Sequence, residues 1–315
     1  MTSPITGALL VSIPSPAEGV LHIGPLAIHA YGMMIALGVV AAVWLAGRRM
    51  ESAGVGTRDD MSSIAMWAVA AGVVGSRLYF IVTDKSQPWR EPSRWLKIWE
   101  GGLGIPGGLL AGVIVGAWAI KRRGLSVPGV LTAAVPGVPL AQAIGRLGNW
   151  WNQELFGRPT TLPWGLEIDN AHLPAGYATG TLFHPTFLYE ALWNLTLCGL
   201  LIVIDRRMKL RPGRLLAVYV AGYFTGRFWI EGLRIDPANS GGGLRLNQWV
   251  SVFVVSAAVI YLIIDRQRHL HDEPAVEPAV EQAVQPAVEQ ACDEVAVDPP
   301  VSADAESDEY VHHDE

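Results

Sequence analysis

The sequence predicts an all-α integral membrane protein of seven transmembrane helices, N-terminus outside and C-terminus cytoplasmic, with a disordered acidic tail. Three observations carry that prediction. Half of the 315 residues are apolar and only 17% are charged, with a mean hydropathy of +0.29, whereas soluble domains carry about 25% charged residues. Seven segments approach the roughly 20 apolar residues that a span requires. Basic residues gather on alternate connections between those segments, the pattern that sets orientation in a bilayer.

In chain order the predicted spans are 28–46, 62–82, 103–120, 128–147, 186–204, 215–230 and 246–264. The short connections after the first, third, fifth and seventh carry GRRM, KRR, DRRMKLRPGR and DRQR, so 13 of the 23 Lys and Arg fall on one face. Seven lie on the other face and three within spans, and four of those seven sit in the loop DKSQPWREPSRWLK. The basic face is predicted to be cytoplasmic. The two outer loops differ from these tight turns. Residues 84–102 mix Trp89, Trp95 and Trp99 with basic residues, which suits a segment lying in the headgroup layer. Residues 149–185 form a loop of nearly forty residues.

A membrane domain is expected over 1–270 and a separate tail over 271–315, where EPAVEPAVEQAVQPAVEQA is proline-broken, acidic and poor in aromatics. Such a composition cannot bury enough apolar surface to order itself. No basic leader with a small-residue cleavage site opens the chain, so the first span is expected to direct insertion. Cys198 and Cys292 have neither the number nor the spacing of a disulfide framework or metal site.

Polar residues inside the apolar runs locate the candidate site. A charge at a helix centre costs about 2.5–3.5 kcal/mol on insertion scales, so intramembrane charges tend to face the bundle interior and serve function there. Arg77 in VVGSRLYF, Arg146 in GRLGNWWNQELFGRP and Arg227 in GRFWIEGLR all fall on the outer half. The alternating directions of the spans bring further polar residues to the same depth. Tyr31 opens the first span, Gly101 to Gly108 open the third, His184, Tyr189 and Glu190 stand around the start of the fifth, Glu231 ends the sixth and Asn247 starts the seventh.

Plainer readings stand beside this one. Arg77 fits a headgroup contact or a structural helix-to-helix bond equally well. Arg227 and Glu231 lie four apart on one helical face, where they can simply neutralise each other. His184 precedes a proline and suits capping or packing as well as proton transfer. The glycines of EGGLGIPGGLLAG are first a device for close helix packing. Taken as a site, several guanidinium groups at a membrane edge suit a phosphate, because their planar fork makes bidentate bonds and stays ionised when partly desolvated. The chain contains no HExxH, GxSxG or GxxxxGK pattern, which argues against metal hydrolysis and nucleotide chemistry. An anionic phospholipid is the expected ligand, and no nucleic acid, metal or cofactor is.

A transporter or lipid flippase is the alternative from a different class; it would spread polar residues through both halves of the bilayer and show repeats, and neither is found. A retinal protein would need an intramembrane lysine, and the spans contain none. A seven-helix receptor binding an anionic lipid at its outer face stays open on topology alone.

GRLGNWWNQELFGRP closely resembles the signature of the prolipoprotein diacylglyceryl transferases, a bacterial membrane family, and IHAYGMM, GSRLYF, IWEGGLGIPGGLLAG, FHPTFLYEALWN and GRFWIEGLRID resemble its other segments in order. The resemblance covers roughly residues 21–268. It implies transfer of the diacylglyceryl group of phosphatidylglycerol to the lipobox cysteine of a preprolipoprotein, forming a thioether and releasing glycerol 1-phosphate. It also implies a place in the bacterial plasma membrane with the active face toward the outer side, and two partners, phosphatidylglycerol and the preprolipoprotein signal peptide. The family's important positions fall on Tyr31, Arg146, Asn149, Glu154, Gly157, Arg227, Glu231 and Arg234. The catalytic candidates are therefore Arg146, Arg227, Glu231, Tyr31 and Asn149. The candidate contacts to phosphatidylglycerol are Arg146, Arg227, Asn149, Glu154, Gly157, Arg234 and Arg77, and His184 and Glu154 are candidate bases. One position departs from the pattern: many members carry a histidine directly before the second glycine pair of the third-span segment, where this chain has Pro106.

Overall fold

The computed structural model describes residues 12–23, 26–84, 91–95, 101–208, 210–211, 213–236 and 240–270. The chain divides into two units, 1–263 and 264–315. The acidic segment expected to be a disordered tail, along with Trp89 and Trp99, lies outside the described residues.

Eight α-helices make up the described membrane region: α1 Ala30–Ser52, α2 Arg58–Thr83, α3 Ile105–Arg122, α4 Val127–Ala134, α5 Gly137–Trp151, α6 Thr186–Met208, α7 Arg214–Leu233 and α8 Leu246–Leu270. Five of them, α1, α2, α3, α6 and α8, are long and apolar enough to cross a membrane, and the pair α4 and α5, bent by 41°, makes a sixth. Their outward surfaces are apolar: Val40, Met66, Leu109, Val113 and Phe253 are all more than half exposed. That arrangement suits lipid and not water. Helix α7 forms where the sixth span is predicted but does not join the apolar set, because it carries Arg227 and Glu231 in its last turns beside Thr225 and Tyr223.

Local chemistry explains the helix limits. Thr57 and Asp60 form a reciprocal capping box at the start of α2, with the Thr57 N–H donating to Asp60 Oδ2 at 3.0 Å and the Asp60 N–H to Thr57 Oγ1 at 3.1 Å. Pro106 lies in the first turn of α3, where its missing N–H has no helical partner to lose. The fourth predicted span is not one helix. Pro136 lacks the N–H that would bond Thr132 O, so the run breaks between α4 and α5. At the break Arg49 of α1 donates from Nε to Ala133 O at 3.0 Å and pairs with Asp205 of α6 at 2.7 Å.

Glycine lets neighbouring helices touch backbone to backbone. A Cβ at Gly38 of α1 would stand 2.8 Å from Ala141 O of α5, and one at Gly137 of α5 would stand 2.8 Å from Ala42 O of α1. Helices α2 and α3 meet in the same way, a Cβ at Gly107 falling 2.3 Å from Gly75 O. The glycine-rich third-span segment therefore serves helix packing.

Small antiparallel sheets decorate one end of the bundle. Strands β1 Val20–Ile23 and β2 Leu26–His29 pair ahead of α1. Strands β3 Leu166–Glu167 and β4 Leu182–Phe183 pair within the long loop between α5 and α6. Strands β5 Ser240–Gly241 and β6 Leu244–Arg245 join α7 to α8. Isolated bridges extend the loop sheet to Ile13 through Leu166 and to Pro159 through Phe183, while Gly157 pairs with Arg234 at the end of α7. Phe156, Leu166, Phe183 and Phe187 bury together beneath it and fasten the loop to α6.

Candidate active site

A cavity of about 600 Å³ opens among α1, α5 and α7, with Tyr31, Arg146, Asn149, Leu155, Arg227 and Arg234 in its wall. Other clefts of similar size have different linings: one between α1 and α2 is edged by Val40, Trp44 and Met66, and one on the long loop between α5 and α6 by Thr160, Thr161 and Thr181. Only the first, among the described clefts, gathers three guanidinium groups.

Two buried glutamates hold those arginines. Glu190 of α6, 5% exposed, receives Arg146 Nε at 2.6 Å and Arg227 NH1 at 3.5 Å on its two carboxylate oxygens. Glu231, 1% exposed, takes Arg227 NH2 at 2.8 Å, with Arg234 NH1 at 3.8 Å and Arg245 Nε at 3.2 Å. Asn247 of α8 adds an amide hydrogen bond to Glu231 at 3.2 Å. Oε2 of this carboxylate pairs with Arg227 and Arg234 but accepts no hydrogen bond among the described residues, while Oε1 faces Arg245 and Asn247. Glu231 therefore acts as a brace that holds Arg227 by charge.

The turn after α5 completes the wall. Arg146 NH1 donates to Asn149 Oδ1 at 3.2 Å, and Asn149 Nδ2 donates to Glu154 Oε1 at 2.9 Å, so one amide bridges arginine and glutamate. Asn152 also donates to Glu154 Oε1, at 3.2 Å. Among the described residues Glu154 Oε2 accepts no hydrogen bond, and the side chain is exposed. On either side of it Gln153 and Leu155 adopt left-handed backbone, φ 50° and 60°, which costs roughly 1–2 kcal/mol per non-glycine residue. Buried Gln153 holds the turn by donating to Asp169 Oδ2 at 2.6 Å and Pro16 O at 3.0 Å, while accepting the Asp169 N–H at 2.8 Å. The Thr186 hydroxyl donates to Leu155 O.

Tyr31 reaches the cavity because Gly148 has no side chain; a Cβ there would stand 2.5 Å from Tyr31 Cδ2. Gly157 is equally confined, its absent Cβ falling 2.8 Å from His184 Cβ and 3.1 Å from Leu233 O. It does not line the cavity itself but pairs with Arg234, which does. Arg158 donates its backbone N–H to Leu233 O at 2.8 Å and its guanidinium to Gly232 O, tying the long loop between α5 and α6 to α7.

Five predicted site residues lie outside the cavity wall: Glu154, Gly157 and Glu231 each contact a residue that lines it, and Arg77 and His184 make their contacts elsewhere. Arg77 does not line the cavity: it donates to Trp95 O at 3.1 Å and to the Gly101 and Gly102 carbonyls, and lies 5.2 Å from the Phe80 ring. Its guanidinium ties α2 to the segment leading into α3, so the structural reading of Arg77 replaces the headgroup contact. His184 also lies outside the cavity wall. Its Nδ1 is 3.1 Å from the Tyr189 hydroxyl, which accepts the Trp164 indole N–H at 3.1 Å. Because the indole can only donate, the hydroxyl proton is free to point at Nδ1 in the tautomer that carries its hydrogen on Nε2. Desolvation, reinforced by nearby Arg158, pushes the His184 pKa below its ordinary 6.5. With Nδ1 facing the Tyr189 hydroxyl and the ring outside the cavity wall, His184 is poorly arranged for a general base.

Sequence reasoning placed Glu190 at the depth of the site but missed its role there, although a carboxylate inside an apolar run is the same signal that marked the arginines. It also missed Arg245, which lies outside every predicted span and carries no such signal.

The fold and the site together define a multi-pass membrane protein with an anion-receptive cavity of arginines held on buried glutamates. Comparison with known proteins makes this specific. Residues 18–264 match the family model described as prolipoprotein diacylglyceryl transferase, and the chain belongs to that family. It is 50% identical over 264 residues to phosphatidylglycerol--prolipoprotein diacylglyceryl transferase 2 of Streptomyces coelicolor, covering 82% of this chain and 83% of the relative. A Cutibacterium acnes protein described as phosphatidylglycerol--prolipoprotein diacylglyceryl transferase is 46% identical over 262 residues, covering 82% and 88%. One from Mycobacteroides abscessus with the same description is 48% identical over 273 residues, covering 81% and 79%.

Proposed function

We propose that this chain transfers the diacylglyceryl group of phosphatidylglycerol to the lipobox cysteine of preprolipoproteins, the first step of lipoprotein maturation. The observation that carries the reading is the convergence of Arg146, Arg227 and Arg234 on one cavity. In the reaction the cysteine sulfur forms a bond to the terminal glycerol carbon of the diacylglyceryl group as that carbon's bond to the phosphate oxygen breaks. The thiol proton leaves, and glycerol 1-phosphate departs with an added negative charge. Arginines aimed at that phosphate stabilise the transition state more than the ground state, because the charge grows as the bond breaks.

A free cysteine attacks as its thiolate, with an ordinary pKa near 8.5. The arginine field favours the thiolate, and Glu154 is the group best placed to receive the proton. Its Oε1 is fixed by two amides and its exposed carboxylate can return the proton to water. Pro106 cannot serve as a base, Glu231 is buried among three arginines, and His184 faces the Tyr189 hydroxyl. Electrostatic stabilisation is accordingly the main source of catalysis, with Glu154 secondary. Asn149 orients both Arg146 and Glu154, and Tyr31 closes the wall opposite.

In this reading the protein has seven spans, α7 counting as one and α4 with α5 as another. The N-terminus is outside, the C-terminus cytoplasmic, and the cavity faces the outer side of the bacterial plasma membrane. A secreted peptide and a lipid phosphate can meet there. The acidic segment 271–315 is a separate cytoplasmic tail with no catalytic part. The direct test incubates the purified protein in phosphatidylglycerol micelles with a lipobox peptide and weighs the peptide by mass spectrometry. A diacylglyceryl adduct on the cysteine is expected. Absence of the adduct where a related transferase produces it refutes the assignment.

A further inference from the structure

We infer that Arg245, which does not line the cavity, is a positioning residue that supplies the surplus positive charge of the phosphate site. The inference rests on the proposed phosphatidylglycerol reading. Arg245 ends β6, and its side chain is 15% exposed. All three guanidinium nitrogens are engaged at the end of α7. Nε lies 3.2 Å from Glu231 Oε1; NH1 donates to Glu231 O at 3.2 Å and Arg234 O at 2.8 Å; NH2 donates to Asp236 O and, at 3.1 Å, to Asp236 Oδ2. The backbone from Glu231 to Asp236 thus bends around one guanidinium. Helix carbonyls at a C-terminus have no intrahelical donors, and a cation there is favoured by the helix dipole as well.

The consequence is a matter of charge. Around the cavity four arginines, Arg146, Arg227, Arg234 and Arg245, share three carboxylates, Glu190, Glu231 and Asp236. Counting exposed Glu154, linked to Arg146 through Asn149, together with exposed Arg158, bonded to Gly232 O, leaves the same surplus of one positive charge. Without Arg245 the remaining three arginines would be matched one for one by carboxylates. Glu231 would then draw more fully on Arg227 and Arg234, the two cavity arginines it already contacts. Arg245 pairs with Glu231 Oε1, the oxygen that Arg227 and Arg234 do not contact, and leaves those cavity-facing guanidinium groups with charge to offer an incoming phosphate.

This predicts an effect on phosphatidylglycerol binding that a charge change elsewhere in the cluster can reverse. Initial rates of adduct formation are measured against the mole fraction of phosphatidylglycerol in detergent micelles, on monodisperse protein with its melting temperature recorded. Arg245→Gln is expected to raise KM for phosphatidylglycerol roughly tenfold or more, with a smaller change in kcat. Arg245→Lys keeps the charge but loses the fork, and should fall between. The decisive variant is Arg245→Gln combined with Asp236→Asn, which restores the surplus and should return KM toward that of the unmodified enzyme. Asp236→Asn alone, which tests the idea even where Arg245→Gln fails to fold, should lower KM. An unchanged KM in Arg245→Gln, a raised KM that Asp236→Asn does not recover, or no fall in KM for Asp236→Asn alone overturns the inference. If the unmodified protein makes no adduct, the underlying reading fails instead.

Discussion

Glu190 illustrates how a single side chain organises this site. It is buried and bridges the two arginines that face the cavity from α5 and α7, so both guanidinium positions depend on one carboxylate. Breaking such a buried pair from one side costs about 3–5 kcal/mol because the remaining charge loses its partner. Glu190→Gln should therefore lower kcat/KM at least a hundredfold, while Arg227→Ala should abolish most adduct formation; a fully active Arg227→Ala enzyme would remove the electrostatic account. His184→Gln should instead leave transfer intact. His184 also predicts a stability effect. Its folded pKa lies below the ordinary 6.5, so the unfolded chain binds the proton more readily. The related stability is present above about pH 6.5 and declines as pH falls through the folded value. Melting temperatures taken down this range should fall less steeply in His184→Gln than in the unmodified protein. At this scale the sequence was informative wherever a charge interrupted an apolar run, as at Arg146, Arg227 and Glu231. Arg77 carried the same signal but turned out to hold backbone carbonyls, because an intramembrane arginine is explained equally by a ligand and by a loop to anchor.

Among the elements, α1 and α5 set the geometry of the cavity, and their contact depends on glycine. Gly38→Ala would place its methyl 2.8 Å from Ala141 O, a backbone atom that cannot rotate away. Overpacking of this kind costs about 1–3 kcal/mol, so a lower melting temperature is expected, together with reduced activity because Ala141 precedes Arg146 on the same helix and lines the same cavity. Gly199, with nothing within 4 Å of its absent Cβ, is the control: Gly199→Ala should not lower the melting temperature. The existence of the helices was legible from apolar length. The break at Pro136 was less so, because proline inside a membrane run is compatible with either a kinked or a divided helix, and here Arg49 and Asp205 serve the divided form. Nothing in the spacing of Gln153 and Asp169 announced that they pin the strained turn beside Glu154, since their contact exists only once the long loop between α5 and α6 has folded back.

For the molecule as a whole, the asymmetry of basic residues and the location of the cavity make one joint prediction about sidedness. The basic turns containing Arg48, Arg123 and Arg206 lie at the helix ends remote from Arg146 and Arg234 along α1, α3 and α6. If those turns are cytoplasmic, as charge bias requires, the arginine cavity and the long loop between α5 and α6 must open outward. Cysteine labelling in intact cells tests both at once. The chain's own cysteines help, because Cys198 is buried and Cys292 falls in the segment assigned to the cytoplasm. Thr161→Cys, on the outer loop, should react with a membrane-impermeant maleimide added to whole cells. Gly124→Cys, in the turn after α3, and native Cys292 should react only after lysis. Labelling of Gly124→Cys and Cys292 in intact cells, with Thr161→Cys protected, would invert the topology. The cavity would then face away from secreted peptides, and the proposed reaction could not occur where its second substrate emerges.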